Sequence, residues 1–232
     1  MKTALGLVLV VVVLAGGYWY YTTKNAQEPA PQVEQVAQQA PAIEGASVVV
    51  AGNYSVNTTE STVAWEGKKP LIDGYVNSGT IKLQGGDITA GTSTASGAFT
   101  IDMNSLTVDL TAKKPGKENA LETHLKTGDF FDVTKYPTAT FTIKSVTPRS
   151  DSATSFTYDV RGDLKMKDKT NEISFPAQIY MKDGNLHVHA ETSIDRTKWG
   201  ITFGSGNFFE NLADNAIDDM VALSFKVVAN KK

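Results

Sequence analysis

The sequence predicts an all-β domain, an antiparallel barrel or sandwich of about eight to ten short strands. Two observations carry this reading. From Asn53 onward apolar and polar residues alternate with period two in run after run, as they do in strands with one buried and one wet face. Turn-forming clusters separate the runs: Gly85-Gly86, Lys182-Asp183-Gly184-Asn185 and Gly204-Ser205-Gly206. Long helical periodicity is absent.

The N-terminal segment, 1–23, is of another kind. Between Lys2 and Lys24 no residue is charged, and Leu5–Ala15 is almost entirely Leu, Val, Gly and Ala. It is about long enough to cross a bilayer, which takes roughly 20 apolar residues. Tyr18, Trp19, Tyr20 and Tyr21 follow where an interfacial aromatic belt would lie. Two readings compete: a retained signal-anchor helix and a cleaved signal peptide. Bulky aromatics after Gly17 spoil a small-x-small cleavage site, which favours the anchor. Gly17 also stands where a lipoprotein signal would need its Cys, so lipid attachment there is excluded. Either reading exports the rest of the chain. The expected location is the periplasmic side of the envelope, anchored in the inner membrane, with a soluble periplasmic or secreted form as the alternative.

Residues 24–52 form a linker rich in Gln, Pro and Ala. Pro29, Pro31 and Pro41 remove backbone donors, and little in the stretch could build a core, so a disordered tether is expected.

The domain, 53–232, opens with Thr62-Val63-Ala64-Trp65 and Thr80-Ile81-Lys82-Leu83. Ala98–Met103, Ala139–Ile143, Phe156–Val160, Ile173–Phe175, Asn185–Ala190 and Val221–Val227 continue the pattern. Asp183-Gly184 is a two-residue hairpin signal. The best helical candidate is Lys117–His124, inside a long inter-strand segment from Thr111 to Tyr136. That segment carries Phe130 and Phe131, whose adjacent rings suit a loop folded over a barrel mouth or floor. No repeat and no second domain is visible.

Composition limits the chemistry. The chain has 232 residues, 41% hydrophobic and 20% charged, with a net charge of −3. The first 52 residues carry −1 and the remainder −2, too little bias for nucleic acid. The absence of Cys removes disulfides, thiolate metal sites and a cysteine nucleophile. His187 and His189 share a strand face opposite Leu186 and Val188, read as solvent-facing without a third ligand. Asp214, Asp218 and Asp219 lack the Gly and closing Glu of a calcium loop and are read as a solvated loop. Asp195 and Arg196, as strand neighbours, point to opposite faces, so each needs another partner. With no nucleophile elbow, phosphate loop or dinucleotide fingerprint, no enzyme activity, cofactor or metal is expected.

Rings at inward-reading positions stand out: Trp65, Phe99, Phe141, Phe175, Trp199, Phe203 and Phe225. An eight-stranded barrel is wide enough either to be filled by such side chains or to hold one slender ligand.

An ordered set of motifs carries a resemblance. His124-Leu125-Lys126, Asp129-Phe130-Phe131-Asp132 and Lys135-Tyr136-Pro137-Thr138-Ala139 with Phe141 form the first. Gly162-Asp163-Leu164, Lys167-Asp168-Lys169-Thr170 and Ile173-Ser174-Phe175-Pro176 follow, then Ile194–Ile201. With Tyr54-Ser55-Val56 and Ser61-Thr62-Val63, these resemble the YceI-like domain family over 53–229. The resemblance implies a lipocalin-like antiparallel β-barrel of about eight strands. It also implies a polyisoprenoid or isoprenoid-quinone-like lipid held inside, in a carrier or reservoir at the envelope. The ligand-lining residues would be Trp65, Phe99, Phe130, Phe131, Phe141, Phe175, Trp199 and Phe203, with the Phe130-Phe131 segment as a lid. Lys126, Arg196 and Lys198 are candidates to meet an anionic headgroup. Expected partners are the lipid and, through the N-terminal segment, the membrane; a homodimer is left open beside a monomer. Related sequences often carry a His in a Gly-x-His-x-Gly setting, where this chain has Tyr75 and Asn77 in Asp73–Gly79. The alternative reading is a filled barrel serving as a non-catalytic stress-response or interaction module of the envelope.

Overall fold

The computed structural model describes residues 49–91, 94–149 and 157–232. The expected N-terminal segment and nearly all of the expected linker lie outside these residues. No helix among the described residues is long and apolar enough to cross a membrane.

Ten strands form one antiparallel sheet, and eight of them close it: β2 (Thr62–Lys68), β3 (Val76–Ala90), β4 (Ala95–Asp102), β6 (Thr138–Pro148), β7 (Thr157–Met166), β8 (Lys169–Lys182), β9 (Asn185–Asp195) and β10 (Met220–Lys231). Each pairs with the next in this order, and β10 returns to β2. Closure leaves no free edge, so every ladder finds its partners. Two short strands are additional. β1 (Gly52–Val56) pairs with the C-terminal part of both β10 and β3, taking up the place β2 has left. β5 (Leu110–Thr111) pairs with the start of β3.

The break between β1 and β2 has a side-chain cause. Asn57 Oδ1 accepts hydrogen bonds from the Thr59 and Glu60 amides, a turn that competes with the ladder. Ser61 restores continuity by accepting from the Val228 amide and donating to the Val228 carbonyl.

The alternating runs fall on barrel strands, apart from Met103, which starts a 3₁₀ turn, and Phe156, which lies outside the described residues, and the strands extend well beyond them. Gly85-Gly86 was expected to end a strand; β3 instead runs through it with a register shift between Leu83 and Gly85. A side chain at Gly86 would overlap the Ala98 carbonyl and crowd Phe99, so the glycine permits close strand approach at a bulge. The Asp183-Gly184 hairpin forms as expected, with positive φ at both residues. The helix in the long inter-strand segment is α1 (Glu118–Leu125), one residue later than expected.

The two barrel ends differ. One, the turn end, carries the Asp183-Gly184 turn and β1. The other, the loop end, carries the connections 69–75, 103–137 and 196–219. The barrel interior is apolar: Ile81, Leu83, Ile101, Leu164, Ile179, Leu186 and Ile194 are all buried in one continuous cluster.

Candidate ligand cavity

The barrel is hollow. A cavity of about 400 Å³ runs from Val49, Gly91 and Thr94 at the turn end to Lys68, Lys69 and Asp218 at the loop end. The cavity agrees with the hollow barrel that a lipid ligand requires and speaks against the alternative of an interior filled by side chains. Its volume lies within the range of roughly 300–1,000 Å³ typical of ligand sites. From Asn77 to Ala90, β3 alone advances about 40 Å, which strand tilt reduces to about 30 Å along the axis. A void this long and this small admits a slender, flexible guest and not two side by side.

Register explains the lining. On β10 the odd-numbered residues Val221, Leu223, Phe225 and Val227 face inward, as Leu186, Val188 and Ala190 do on β9. His187 and His189 therefore face outward, where both stack on Tyr180 and His189 Nε2 lies 3.2 Å from the Tyr180 hydroxyl. Burial, the neighbouring His187 and Lys226 hold the His189 pKa below the usual value.

Four phenylalanines form a row along the cavity wall. Phe99 on β4 stacks on Phe141 on β6, centroids 6.3 Å apart and rings within 3° of parallel. Phe141 meets Phe175 on β8 at 5.7 Å, and Phe175 meets Phe225 on β10 at 5.4 Å. Small residues on the intervening strands allow it. Gly162 on β7 gives up its side-chain space to the Phe141 ring. Ala190 on β9, paired with both Ala177 and Phe225, lets the last two rings meet.

The loop end is covered from two directions. Phe130 from the 103–137 connection and Phe203 from the 196–219 connection meet at 5.2 Å, and His124 packs edge-on against both at about 5 Å. Lys167 Nζ donates to the Phe130 carbonyl at 2.7 Å, tying that loop to the β7–β8 turn. His124, Phe130, Phe131 and Phe203 all line the cavity.

Of the eight rings expected to line a ligand site, seven face the cavity: Trp65, Phe99, Phe130, Phe131, Phe141, Phe175 and Phe203. Trp199 does not. The strand pattern stops at Asp195, which caps a 3₁₀ turn by accepting from the Thr197 amide. Trp199 lies in that turn, 1% exposed, with its indole N–H donating to the Leu164 carbonyl. It is packing, outside the cavity wall.

The candidates for a headgroup also change. Arg196 is 4% exposed and spends all five N–H donors inside the protein. Nε donates to Asp218 O, one terminal nitrogen to Ile201 O and Phe203 O, and the other to Ile217 O and Asp219 Oδ1. It pins the 196–219 connection. Desolvation pulls its pKa down, and Asp219 is foremost among the carboxylates opposing this. Asp219, expected in a solvated loop, also accepts from Ser205 Oγ and Asn207 Nδ2. Lys126 pairs with Glu122 at 2.8 Å and holds that carboxyl below its usual range. Lys198 is exposed and off the cavity. Arg196 does line the cavity at the loop end, but with its donors already taken, and the other cations there are Lys68 and Lys69, beside Tyr75 and Asn77. Lys68 pairs with Glu66 at 2.9 Å, and Lys69 sits over the Tyr75 ring and donates to Asp214 O. The pair missed in the sequence was legible as Lys68-Lys69-Pro70 at the end of a strand run. Among the described residues no group of His, Asp and Glu is placed to hold a metal.

The YceI-like domain family matches residues 54–229, most of the chain. The chain belongs to the YceI-like family. Among curated relatives, UPF0312 protein SAB2563 of Staphylococcus aureus (strain bovine RF122 / ET3-1) is 34% identical over 94 residues, 38% of this chain. The YceI-like chain spans about half the length of that relative, 50%. Its fold is similar to Burkholderia cenocepacia BcnA, with a TM-score of 0.57 at 20% identity over 75% of this chain and 99% of that one. It is also similar to a polyisoprenoid binding domain from Saccharophagus degradans implicated in plant cell wall breakdown. That likeness has a TM-score of 0.53 at 16% identity and covers 77% of this chain and 98% of the other.

Proposed function

We propose that this YceI-like protein binds a single long-chain isoprenoid lipid in its barrel and serves as a carrier or reservoir at the periplasmic face of the inner membrane. The observation that carries this reading is the long, narrow, apolar cavity with cations at one end only. The polyisoprenoid-binding domain of the same fold supports the choice of lipid.

The physics limits how such a site can work. Removing a methylene from water is worth about 0.8 kcal/mol, but a lipid leaving a bilayer gives up nearly the same amount. Net affinity must come from fit and from the headgroup. The row Phe99, Phe141, Phe175 and Phe225 offers flat walls to branched methyls. Lys68, Lys69, Tyr75 and Asn77 offer cations and hydrogen bonds to a polar or anionic head. An anchor formed by the N-terminal segment would add proximity by raising effective concentration at the bilayer. The protein is a binder, not a catalyst, in this account.

The test compares lipid extracts of the full chain and of Leu223→Trp, which places a larger ring inside the wall, purified in the same detergent. The account expects a prenyl lipid near one per protein in the wild type and at least a tenfold loss in the variant. Equal amounts in both, or none in either, would contradict it.

A further inference from the structure

We propose that the loop end of the barrel is a docking face for an anionic lipid bilayer, through which the cavity exchanges its guest. The inference rests on the lipid-binding reading for its purpose, and on surface chemistry for its place.

Among the described residues, seven large apolar side chains are exposed, and six lie at this one end: Leu71, Leu110, Phe203, Phe208, Phe209 and Met220. Leu71 is 64% exposed, Phe208 57% and Phe209 48%. Apolar groups gathered on one surface mark an interaction site, whereas scattered ones need no explanation. Phe203 is shared between this surface and the cavity wall, so the exposed patch is continuous with the interior.

The charge on one side of it, formed by the segments 67–75 and 110–117, is complementary to acidic headgroups. Residues 67–75 and 110–117 carry Lys68, Lys69, Lys113, Lys114 and Lys117 against Asp73, with Glu66, Asp109 and Glu118 at their edges, while the aromatic loop carries the exposed Glu210 and Asp214. The two segments adjoin, since the Lys113 amine lies 3.2 Å from where a Gly74 side chain would begin. The aromatic loop is held beside them: Asp218 N donates to Lys68 O at 2.9 Å, and Lys69 Nζ to Asp214 O at 3.3 Å. Exposed Leu and Phe with flanking lysines is the chemistry of an interfacial membrane contact, apolar tips below the headgroups and ammonium groups among them. Near an anionic surface each lysine adds to the attraction. The five lysines also border the end of the cavity that Lys68 and Lys69 line, so a guest would enter tail first and leave its head at this face. The expected linker, 24–52, can span up to roughly 95 Å when extended, so an anchor would not dictate which end meets the bilayer.

The chain has no Cys, so a single introduced cysteine reports from one place. An environment-sensitive fluorophore is attached to Phe208→Cys, to Leu71→Cys and, at the turn end, to Asn230→Cys, each in the full chain. Vesicles of phosphatidylcholine with one fifth phosphatidylglycerol are added. Docking predicts a blue shift, a several-fold rise in intensity and protection from an aqueous quencher at 71 and 208, with no change at 230. It also predicts at least tenfold weaker protection on pure phosphatidylcholine and in Lys113→Gln/Lys114→Gln/Lys117→Gln. Probes at 71 and 208 that stay in water while the chain cosediments with vesicles overturn the proposal, because the N-terminal segment alone would then account for binding. Protection equal at all three positions, or unaffected by lipid charge, also overturns it. Lipid extracted from the same samples separates the two accounts: docking without a prenyl guest removes the carrier reading and leaves this face standing, and the reverse outcome removes only the face.

Discussion

Arg196 and Asp219 meet at 3.2 Å in an ion pair that is almost wholly withdrawn from solvent. The guanidinium is held by four backbone carbonyls as well, and those carbonyls belong to both limbs of the 200–219 loop that delivers Phe203 to the cavity. One side chain thus shapes the cover of the barrel. Removing one partner of a buried pair commonly costs about 3–5 kcal/mol. Arg196→Met is expected to lose about that much in urea unfolding, and Arg196→Lys nearly as much, because one ammonium cannot reach five acceptors.

Gly162 and Phe141 provide a second test. A methyl at residue 162 would overlap the Phe141 ring and the Thr142 carbonyl. Gly162→Ala is expected to destabilise by about 1–3 kcal/mol and to drive the ring into the cavity. Thermal unfolding measures the first effect, and prenyl lipid retained after purification measures the second.

A hollow barrel also predicts unequal costs for truncating rings. Trp199 is packed on every side, whereas Phe141 borders empty space and already lacks part of its packing. Trp199→Ala should cost about 3–5 kcal/mol and Phe141→Ala clearly less. Equal losses in denaturant titrations of the lipid-free protein would argue for a filled interior.

The outer face predicts a pH effect. His189 is held below its usual pKa by burial, His187 and Lys226. In the unfolded chain it protonates near pH 6.5, while in the folded protein it stays neutral to lower pH. The unfolded state therefore binds more protons in that interval, and stability falls as pH drops from about 6.5 through the folded pKa. His189→Gln should flatten the change in Tm between pH 7.5 and 5. A variant with the same slope as the wild type would assign that dependence to other groups.

Much of this was legible from period-two alternation alone. It marked all eight barrel strands and the inward rings on them, Trp65, Phe99, Phe141, Phe175 and Phe225, because inward position follows directly from strand register. The failures share a cause. Gly85-Gly86 reads locally as a stop, but the neighbouring strand at Ala98 turns it into a bulge. Trp199 reads as inward only while the strand continues, and the Asp195 cap ends it. Arg196 resembled a headgroup ligand because its partners at 201–219 are local in space and not in pattern. Whether the barrel was filled depended on how Gly162, Ala177 and Ala190 let the four phenylalanine rings lie along the wall, which no local pattern specifies.

The central claim is that the guest lies inside the barrel, and photocrosslinking tests it most directly. A prenyl phosphate bearing a diazirine near its tail is supplied to the full chain in vesicles, irradiated, and the modified peptides are mapped. The account predicts adducts on the inward residues of β4, β6, β8 and β10, among them Phe99, Phe141, Phe175 and Phe225, with loss of those adducts in Leu223→Trp. Adducts confined to residues 1–23 or to the outer face of the strands would contradict it.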